Sequence, residues 1–412
     1  MSELPITLPS PARARSGGLA GAARRAVHAR LAGLERAALT LSENGRSARF
    51  GDPASDVAAT VRIHDPAVYT ALLLRGSLGG AEAYLDGLWD ADDLVAAVRA
   101  LARSRRSLEA LERGLAPRLA RAALLPLHWL RRNTRRGSRR NIAAHYDLGN
   151  QFFALFLDST LTYSCGLFET PEATLEEASF AKYERACRWL DLRAEDHVLE
   201  IGSGWGGFAL HAAGRIGCRI TTTTISRQQY ELARERVAAA GLAGRVEVLF
   251  ADYRELAGQF DKLVSIEMIE AVGHANLPAY FRACNDRLRP GGAMFLQAIT
   301  NPENAYEASL RNVDFVKRYV FPGGQVVSLG AICDAAARAG ALQPTRVEDV
   351  TPHYAETLRR WRARMAENRG RMRALGLDER FLRLWDFYLA YCEGGFRERA
   401  IRTLQIRLER AD

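Results

Sequence analysis

From about residue 195 onward the chain alternates short apolar segments with amphipathic ones, and this alternation constrains the fold more than any other feature. Five segments have the apolar or β-branched character of strands, namely residues 196–201, 219–224, 245–250, 261–266 and 293–299. Helical segments separate them, and Ser226 is placed to cap one of these helices. Such alternation predicts an α/β fold, in which helices cover a parallel sheet.

The last part of the chain predicts one more strand. Residues 404–408 alternate leucine or isoleucine with polar residues, and this period of two favours a strand with one exposed face. Helical stretches at residues 355–373 and 379–391 lie between the fifth strand and this last one. We expect these helices to pack on or over the sheet.

A glycine-rich segment, IGSGWGG at residues 201–207, follows the first strand and opens a helix. Gly202, Gly204 and Gly207 form the pattern G-x-G-x-x-G, in which glycine lets the backbone turn tightly and approach a ligand. The pattern alone also fits a dinucleotide. However, Glu200 precedes the glycines, where a carboxylate can meet a ligand amine, and no acid ends the second strand. The segment resembles the first motif of class I methyltransferases, whose cationic sulfonium ligand suits a nearby acid.

Polar residues at the ends of the second and third strands are further candidates for this ligand. Asp252 is placed to accept a hydrogen bond from an adenine amino group, or alternatively to cap a helix, since Asp252 and Glu255 have capping-box spacing. Thr224 and Gln229, at the tip of the second strand, are candidate ribose neighbours. Polar strand ends are common, so these two residues are weak indicators by themselves.

Five separated segments, in order along the chain, resemble the cyclopropane-fatty-acyl-phospholipid synthase family. They are HYDLGN at 145–150, LTYSCGLF at 161–168, IGSGWGG at 201–207, EMIEAVG at 267–273 and YVFPGG at 319–324. The resemblance spans about residues 75–410, and residues 76–89 are similar to the family's N-terminal lipid-handling domain. It implies a class I methyltransferase (Rossmann-like) fold with a seven-stranded sheet and helical insertions. It also implies S-adenosylmethionine as methyl donor, an apolar acyl tunnel and bicarbonate as proton acceptor.

The same resemblance implies a set of residues around the bicarbonate. Cys165 and Ile299 hold the anion through their peptide N–H groups, Glu270 orients it, and Tyr354 donates its phenol. Without the resemblance each has an ordinary interpretation. Cys165 is a small buried hydrophobe, Glu270 is a first-turn acid of a helix, as is Glu267, and Tyr354 is a packing aromatic.

By this resemblance Tyr163 and Ser164 contact the methyl donor, but one position departs from the family. Where several members have a histidine, this chain has Gln297, which can hydrogen-bond an anion but cannot gain a proton. Methyl transfer to an alkene leaves a carbocation, and loss of a proton from the new methyl group closes a cyclopropane ring. Loss from a neighbouring carbon leaves a methylated alkene, and reduction of a methylene intermediate gives a methyl branch.

We therefore expect an enzyme that forms cyclopropane fatty acids on unsaturated phospholipids, with the methylated unsaturated or methyl-branched chain as the alternative product. A small-molecule N- or O-methyltransferase would not explain the segment 161–168 with its tyrosine and cysteine. A lipid-binding protein without catalysis would not need the glycines, Glu270 or Tyr354. A nucleic-acid methyltransferase would use the basic region at residues 103–140 to bind nucleic acid and not an anionic membrane.

That basic region bears on the domain organisation, because residues 103–140 hold twelve arginines and two glutamates interleaved with leucine and tryptophan. Such a segment suits an anionic membrane surface, although a solvated helical face or a nucleic-acid contact has the same composition. We expect a basic, partly disordered tail over residues 1–48 and a small lipid-handling domain over 49–125. A basic linker over 126–140 and the methyltransferase domain over 141–412 follow.

Other features limit the cell compartment and the ligands. The longest apolar runs are too short to span a bilayer, and the basic N-terminal thirty residues lack the apolar core of a secretory signal. Six isolated cysteines form no C-x-x-C pair, so neither a metal site nor a disulfide framework is expected. We expect a cytoplasmic protein peripheral to the inner membrane face. Its expected partners are unsaturated phospholipid, anionic lipid and, in a homodimer, a second copy, but not nucleic acid.

Overall fold

The computed structural model describes residues 18–104, 137–138 and 149–411, which form two units packed together. The N-terminal unit consists of α1 (Gly18–Leu31), β1 (Ala38–Glu43), β2 (Arg46–Gly51), β3 (Ala58–Ile63), α2 (Ala67–Leu85), β4 (Trp89–Ala91) and α3 (Leu94–Arg103). Its sheet has the order β2-β1-β3-β4, with β1 and β3 parallel and the other pairs antiparallel. A shared core that includes Val27, Leu39, Tyr69 and Ala97 joins the helices to the sheet.

The expectation of a partly disordered tail over residues 1–48 is wrong from residue 18 onward. Helix α1 buries Ala23, Val27 and Leu31 in the core of the N-terminal unit, because these residues share one helical face. The expected boundary at residue 48 falls inside β2. Residues 1–17 and all of the predicted linker 126–140 except 137 and 138 lie outside the described residues, and the other domain boundaries remain predictions.

The C-terminal unit is built on a larger sheet. Its strands are β5 (His197–Ile201), β6 (Arg219–Thr224), β7 (Val246–Phe250), β8 (Phe260–Ile266), β9 (Leu288–Thr300), β10 (Leu342–Asp349) and β11 (Arg402–Arg410). Their order is β10-β11-β9-β8-β5-β6-β7; the strands from β5 to β9 run parallel, and β11 is antiparallel to both neighbours. The α/β fold with a seven-stranded sheet, expected from the sequence, is confirmed.

Helices cover this sheet on both sides. They are α4 (Asn150–Ala154), α5 (Leu175–Leu190), α6 (Gly207–Arg215), α7 (Arg227–Ala239), α8 (Leu277–Arg287), α9 (Glu303–Leu310), α10 (Leu329–Ala339), α11 (Thr351–Glu367), α12 (Arg369–Ala374) and α13 (Glu379–Arg397). Short 3₁₀ turns occur at Tyr253–Glu255, Ile269–Ala271 and His274–Asn276, and a π-helical turn at Val316–Val320. Ser226 caps α7 as predicted, since its hydroxyl accepts a hydrogen bond from the Gln229 amide.

The last two strands of the sheet differ from the sequence prediction. Strand β11 was expected to have one exposed face, but it lies between β9 and β10, and Gln405 is buried. The Gln405 amide donates to Gln297 Oε1 at 2.8 Å, which compensates the burial of both side chains. Strand β10 was not predicted, because its sequence contains Pro344 and mostly exposed polar residues, as an edge strand allows.

Helix α13 joins the two units. The guanidinium groups of Arg99 and Arg103, on α3, donate to Glu398 at 2.6 and 2.7 Å, and Tyr84 donates to Asp386 at 2.9 Å. The N-terminal unit therefore lies against the helices that close one side of the larger sheet. None of the helices in the described parts of the chain is long and apolar enough to cross a membrane.

Candidate active site

The glycine segment forms the turn between β5 and α6, as the sequence predicted. Gly202 and Gly204 have φ values of 100° and 50°, which L-residues with side chains rarely adopt. The Gly202 and Ser203 amides donate to the Thr223 carbonyl at 3.0 and 2.9 Å, so the turn is tied to β6. A Cβ atom on Gly207 would collide with the Tyr183 hydroxyl. The glycines thus allow both the turn and the close packing behind it.

A buried acid and a polar strand end lie beside this turn. Glu200, on β5, accepts a hydrogen bond from the Thr222 hydroxyl at 2.6 Å, and burial raises the pKa of its carboxyl to about 8. A cationic ligand would reverse that shift. Thr224 donates to the side-chain oxygen of Gln229 at 2.8 Å, which holds the end of β6 against the start of α7.

Asp252 has the capping role that its sequence suggested. Its carboxylate accepts a hydrogen bond from the Arg254 amide at 3.0 Å and forms an ion pair with the Arg254 guanidinium at 2.6 Å. The residue also lines the cavity described below, so the local role and a ligand contact are compatible. The contact with adenine remains a proposal.

A second group of polar residues converges on Glu267, a residue that the sequence prediction treated only as a helix acid. Oε1 of Glu267 accepts hydrogen bonds from the Cys165 amide at 2.9 Å and from the Gln297 side chain at 2.7 Å. Oε2 accepts from the Tyr354 hydroxyl at 2.7 Å. We call these four residues the carboxylate cluster. Sequence reasoning missed its centre, because no spacing pattern relates four distant segments.

Glu270 lies next to this cluster and differs from Glu267 in its hydrogen bonds. Its Oε1 accepts from the Ile299 amide at 2.5 Å, whereas its buried Oε2 has no hydrogen-bond partner among the described residues. Burial, and then the charge of Glu267, raise the pKa of the Glu270 carboxyl to about 8. Both effects favour the protonated form of Glu270.

The donors that the resemblance assigned to bicarbonate are all directed to these two protein carboxylates. The Cys165 amide and the Tyr354 hydroxyl donate to Glu267, and the Ile299 amide donates to Glu270. A bicarbonate would need to displace at least one of these side chains. The residues present therefore do not fit a bicarbonate at this place.

A buried lysine supplies positive charge close to the cluster. Lys182, on α5, is fully buried and donates to the Ser164 hydroxyl at 2.6 Å. Burial lowers the pKa of Lys182 to about 8, and the charge of Glu267 opposes that shift. The prediction did not include Lys182, and its one sequence signal is its spacing of four residues from the buried Ala178 and Ala186.

One cavity of about 1060 Å³ brings most of the predicted residues together. Twelve of the fourteen line it, namely Tyr163, Ser164, Glu200, Gly202, Gly204, Gly207, Thr224, Gln229, Asp252, Glu270, Ile299 and Tyr354. The other two, Cys165 and Gln297, do not line it. Both are buried and donate hydrogen bonds to Glu267, which does line the cavity.

The wall of the cavity beyond the carboxylates is apolar and aromatic. Tyr163 stacks on Trp361 with ring centroids 5.2 Å apart, and its hydroxyl donates to Tyr388 at 3.2 Å. Side chains of the N-terminal unit continue the lining, among them Leu31, Leu41, Val61, Leu72 and Leu101. Two other predicted features, the segment at 145–148 and the arginine-rich residues after 104 other than 137 and 138, lie outside the described residues.

Comparison with known proteins agrees with the fold and extends over both units. A family model described as "Mycolic acid cyclopropane synthetase" matches residues 133–406. The "Tuberculostearic acid methyltransferase UfaA1" of Mycobacterium tuberculosis is 41% identical over 359 residues, which are 82% of this chain and 81% of that protein. The "Cyclopropane-fatty-acyl-phospholipid synthase" of Escherichia coli is 33% identical over 355 residues, which are 84% and 87%.

A solved structure also resembles about two thirds of this chain. It is the mycolic acid cyclopropane synthase CmaA1 complexed with SAH and CTAB, with a TM-score of 0.62 and 33% identity. The match covers 66% of this chain and 98% of that one. Both sequence relatives thus cover more of the chain than this structure does.

Proposed function

The chain belongs to the mycolic acid cyclopropane synthetase family and is an S-adenosylmethionine-dependent methyltransferase, and from this membership we propose that it methylates a carbon–carbon double bond in a lipid acyl chain. The observation that carries the proposal is the cavity. It connects the glycine turn and the carboxylate cluster with the apolar side chains of the N-terminal unit. A polar site for the methyl donor and an apolar site for the acyl chain therefore meet at the carboxylates of Glu267 and Glu270.

The size and lining of the cavity support a large and partly apolar ligand set. Ligand pockets commonly measure about 300–1,000 Å³, and this cavity, at about 1060 Å³, lies at the upper end of that range. The lining from the N-terminal unit is mostly apolar, with Leu41, Val61 and Leu72 among its residues, and it suits a hydrocarbon chain. This lining favours a lipid over the small-molecule N- or O-methyltransferase alternative.

We assign the polar end of the cavity to the methyl donor. Glu200 meets its cationic or amine part, and the glycine turn at Gly202 and Gly204 lets the backbone approach it. The other residues that we propose to contact the methyl donor are Tyr163, Ser164, Gly207, Thr224, Gln229 and Asp252. That all of them line the same cavity supports this assignment.

The reaction needs a dry site with negative charge. The alkene electrons form a bond to the methyl carbon, the carbon–sulfur bond breaks, and its electron pair stays on sulfur. The positive charge thereby moves to the acyl chain, where a nearby carboxylate stabilises it better than water-filled space would. Buried aromatic residues such as Trp361 and Phe396 exclude water from this region.

For the product we propose a methylated unsaturated acyl chain. Two observations support it over a ring: the 41% identical relative is named as a methyltransferase, and Gln297 offers no titratable group at its position. The cyclopropane product, our expectation from the sequence, is the second candidate. It is favoured by the description of the family model and by the name of the Escherichia coli relative.

Mass spectrometry of the lipid products tests both candidates. The protein is incubated with methyl-labelled S-adenosylmethionine and vesicles of unsaturated phospholipid, and the released fatty acids are analysed before and after mild hydrogenation. A labelled product that takes up hydrogen is expected. A labelled product that has gained one CH₂ unit and resists hydrogenation establishes the ring, and absence of label from all lipid contradicts the proposed function.

We further propose that the enzyme acts on phospholipid at an anionic membrane surface, on the inner face of the membrane. The arginine-rich stretch 103–140 supports this, because each basic residue near an anionic surface contributes about 1 kcal/mol. Replacing Arg131, Arg132, Arg135 and Arg136 by serine should therefore weaken binding to anionic vesicles, measured by co-sedimentation at fixed salt. Unchanged sedimentation would contradict the proposal, and neutral vesicles and an oligonucleotide serve as comparison ligands.

A further inference from the structure

Glu267 occupies the place where an external anion would be held. Three donors from three different segments, the Cys165 amide, the Gln297 side chain and the Tyr354 hydroxyl, meet on its carboxylate at 2.7 to 2.9 Å. Such a set of donors is what a bound carboxylate-like anion requires. Here the chain provides that anion itself.

The backbone at Glu267 supports the view that this position is specialised. Its φ is 49°, in the left-handed region, which is unfavourable for a residue with a long side chain. The Glu267 amide donates to the Gln297 carbonyl at 2.8 Å, which fixes the residue at the end of β8. A backbone of this kind at a cavity wall is a common property of functional sites, where surrounding contacts maintain it.

The distribution of hydrogen bonds indicates which of the two neighbouring acids carries the negative charge. Glu267 accepts three hydrogen bonds, whereas Glu270 accepts one from the Ile299 amide and leaves Oε2 without a partner among the described residues. Two adjacent carboxyl groups do not ionise together readily in a buried site. Burial raises the pKa of the Glu267 carboxyl, but the buried cation of Lys182 and the three hydrogen bonds oppose that rise. The hydrogen bonds therefore favour the charge on Glu267 and the proton on Glu270.

We propose that the carboxylate of Glu267 replaces bicarbonate in this enzyme, as the anion that stabilises the acyl carbocation and as the base that takes its proton. This inference rests on the proposed alkene methylation. Oε1 already accepts two hydrogen bonds and Oε2 one, so Oε2 keeps a lone pair for the proton. A C–H bond of the cation breaks, its electrons form the new carbon–carbon bond, and the proton converts Glu267 to the neutral acid.

The first experiment asks whether the unaltered enzyme needs bicarbonate. Transfer of label into lipid is measured in buffer purged of carbon dioxide, and again with bicarbonate added back over a range of concentrations. The expected rates differ by less than about twofold, since the base is part of the chain. A rate that falls on depletion and returns with added bicarbonate would overturn the proposal.

Two substitutions then test the residue itself. Glu267→Gln keeps the size and the acceptor oxygen but removes the base, so turnover should fall about 100-fold or more with binding of S-adenosylmethionine retained. Glu267→Gly suits the positive φ and leaves the donors of Cys165, Gln297 and Tyr354 open to an added anion. Added bicarbonate should therefore raise the turnover of this variant at least about tenfold.

The matched control is Glu184→Gln, which changes a carboxyl group on α5 that bonds His211 outside the cavity. Its turnover should be unaffected. Full activity of Glu267→Gln would overturn the role of Glu267, and calorimetric binding of S-adenosylmethionine verifies that each variant is folded. Failure of the proposed function looks different, because the unaltered enzyme then labels no lipid at any bicarbonate concentration.

Discussion

The two ends of the cavity are built in different ways. The glycine turn is one continuous segment between β5 and α6, and its positive φ values arise within a few residues. The carboxylate cluster joins Cys165, Glu267, Gln297 and Tyr354 from four segments separated by up to about 190 residues of chain. In the function proposed above, the glycine turn contributes to binding of the methyl donor through local backbone geometry, whereas the acid–base chemistry depends on how distant segments pack. Substitutions at the two ends should separate binding from turnover.

The largest expected effect is at the glycine turn. Gly204→Val should weaken S-adenosylmethionine binding about 100-fold or more. A β-branched residue is strained at φ 50°, and its side chain would occupy open space in the cavity, where the ligand is expected to lie. Titration calorimetry measures the affinity. Gly241→Val is the matched control, since Gly241 has a φ of 69°, has no atoms within 4 Å of an added Cβ, and does not line the cavity. Equal losses in both variants would assign the effect to strain alone.

A smaller effect is expected at Glu270. Glu270→Gln should lower turnover about tenfold and leave S-adenosylmethionine affinity unchanged, because the amide keeps the acceptor for the Ile299 amide and resembles the protonated acid. Steady-state rates and calorimetry on the same preparation separate the two quantities. A loss as large as that of Glu267→Gln would mean that both acids act as one unit, and an unchanged rate would mean that Glu270 is only structural.

The last prediction concerns stability as a function of pH, where the difference between variants is the smallest to measure. The pKa of Glu270 is about 8 in the folded protein and about 4.3 in an unfolded chain. The stability that this raised pKa contributes is therefore fully present below pH 4.3 and is lost as the pH rises to 8. The loss in free energy of unfolding is a few kcal/mol at most. Melting temperatures between pH 5 and 8 should fall less steeply for Glu270→Gln than for the unaltered protein. Parallel curves for the two proteins would contradict this, and Glu184→Gln again serves as control.

Much of the molecule could be predicted from residue order. The five parallel strands, the cap at Ser226 and the glycine turn depend on interactions within a few residues, and all are present. Most predicted site residues do line one cavity. The expectation of a partly disordered tail is wrong from residue 18 onward, because an alanine-rich helix with several arginines resembles a disordered segment unless Val27 and Leu31 have a core to pack against.

The sequence by itself determined the α/β sheet, the glycine turn and the family motifs, since hydrophobic period and glycine conformation act over short distances. Only the tertiary structure decided the role of Glu267. In the sequence it is one of two acids in a short segment, and its spacing gives no reason to prefer it over Glu270. In the fold, strand order places Gln297 beside Glu267, and the packing of the segment 161–168 and of helix α11 brings the Cys165 amide and the Tyr354 hydroxyl to the same carboxylate. A buried charge there is therefore compensated.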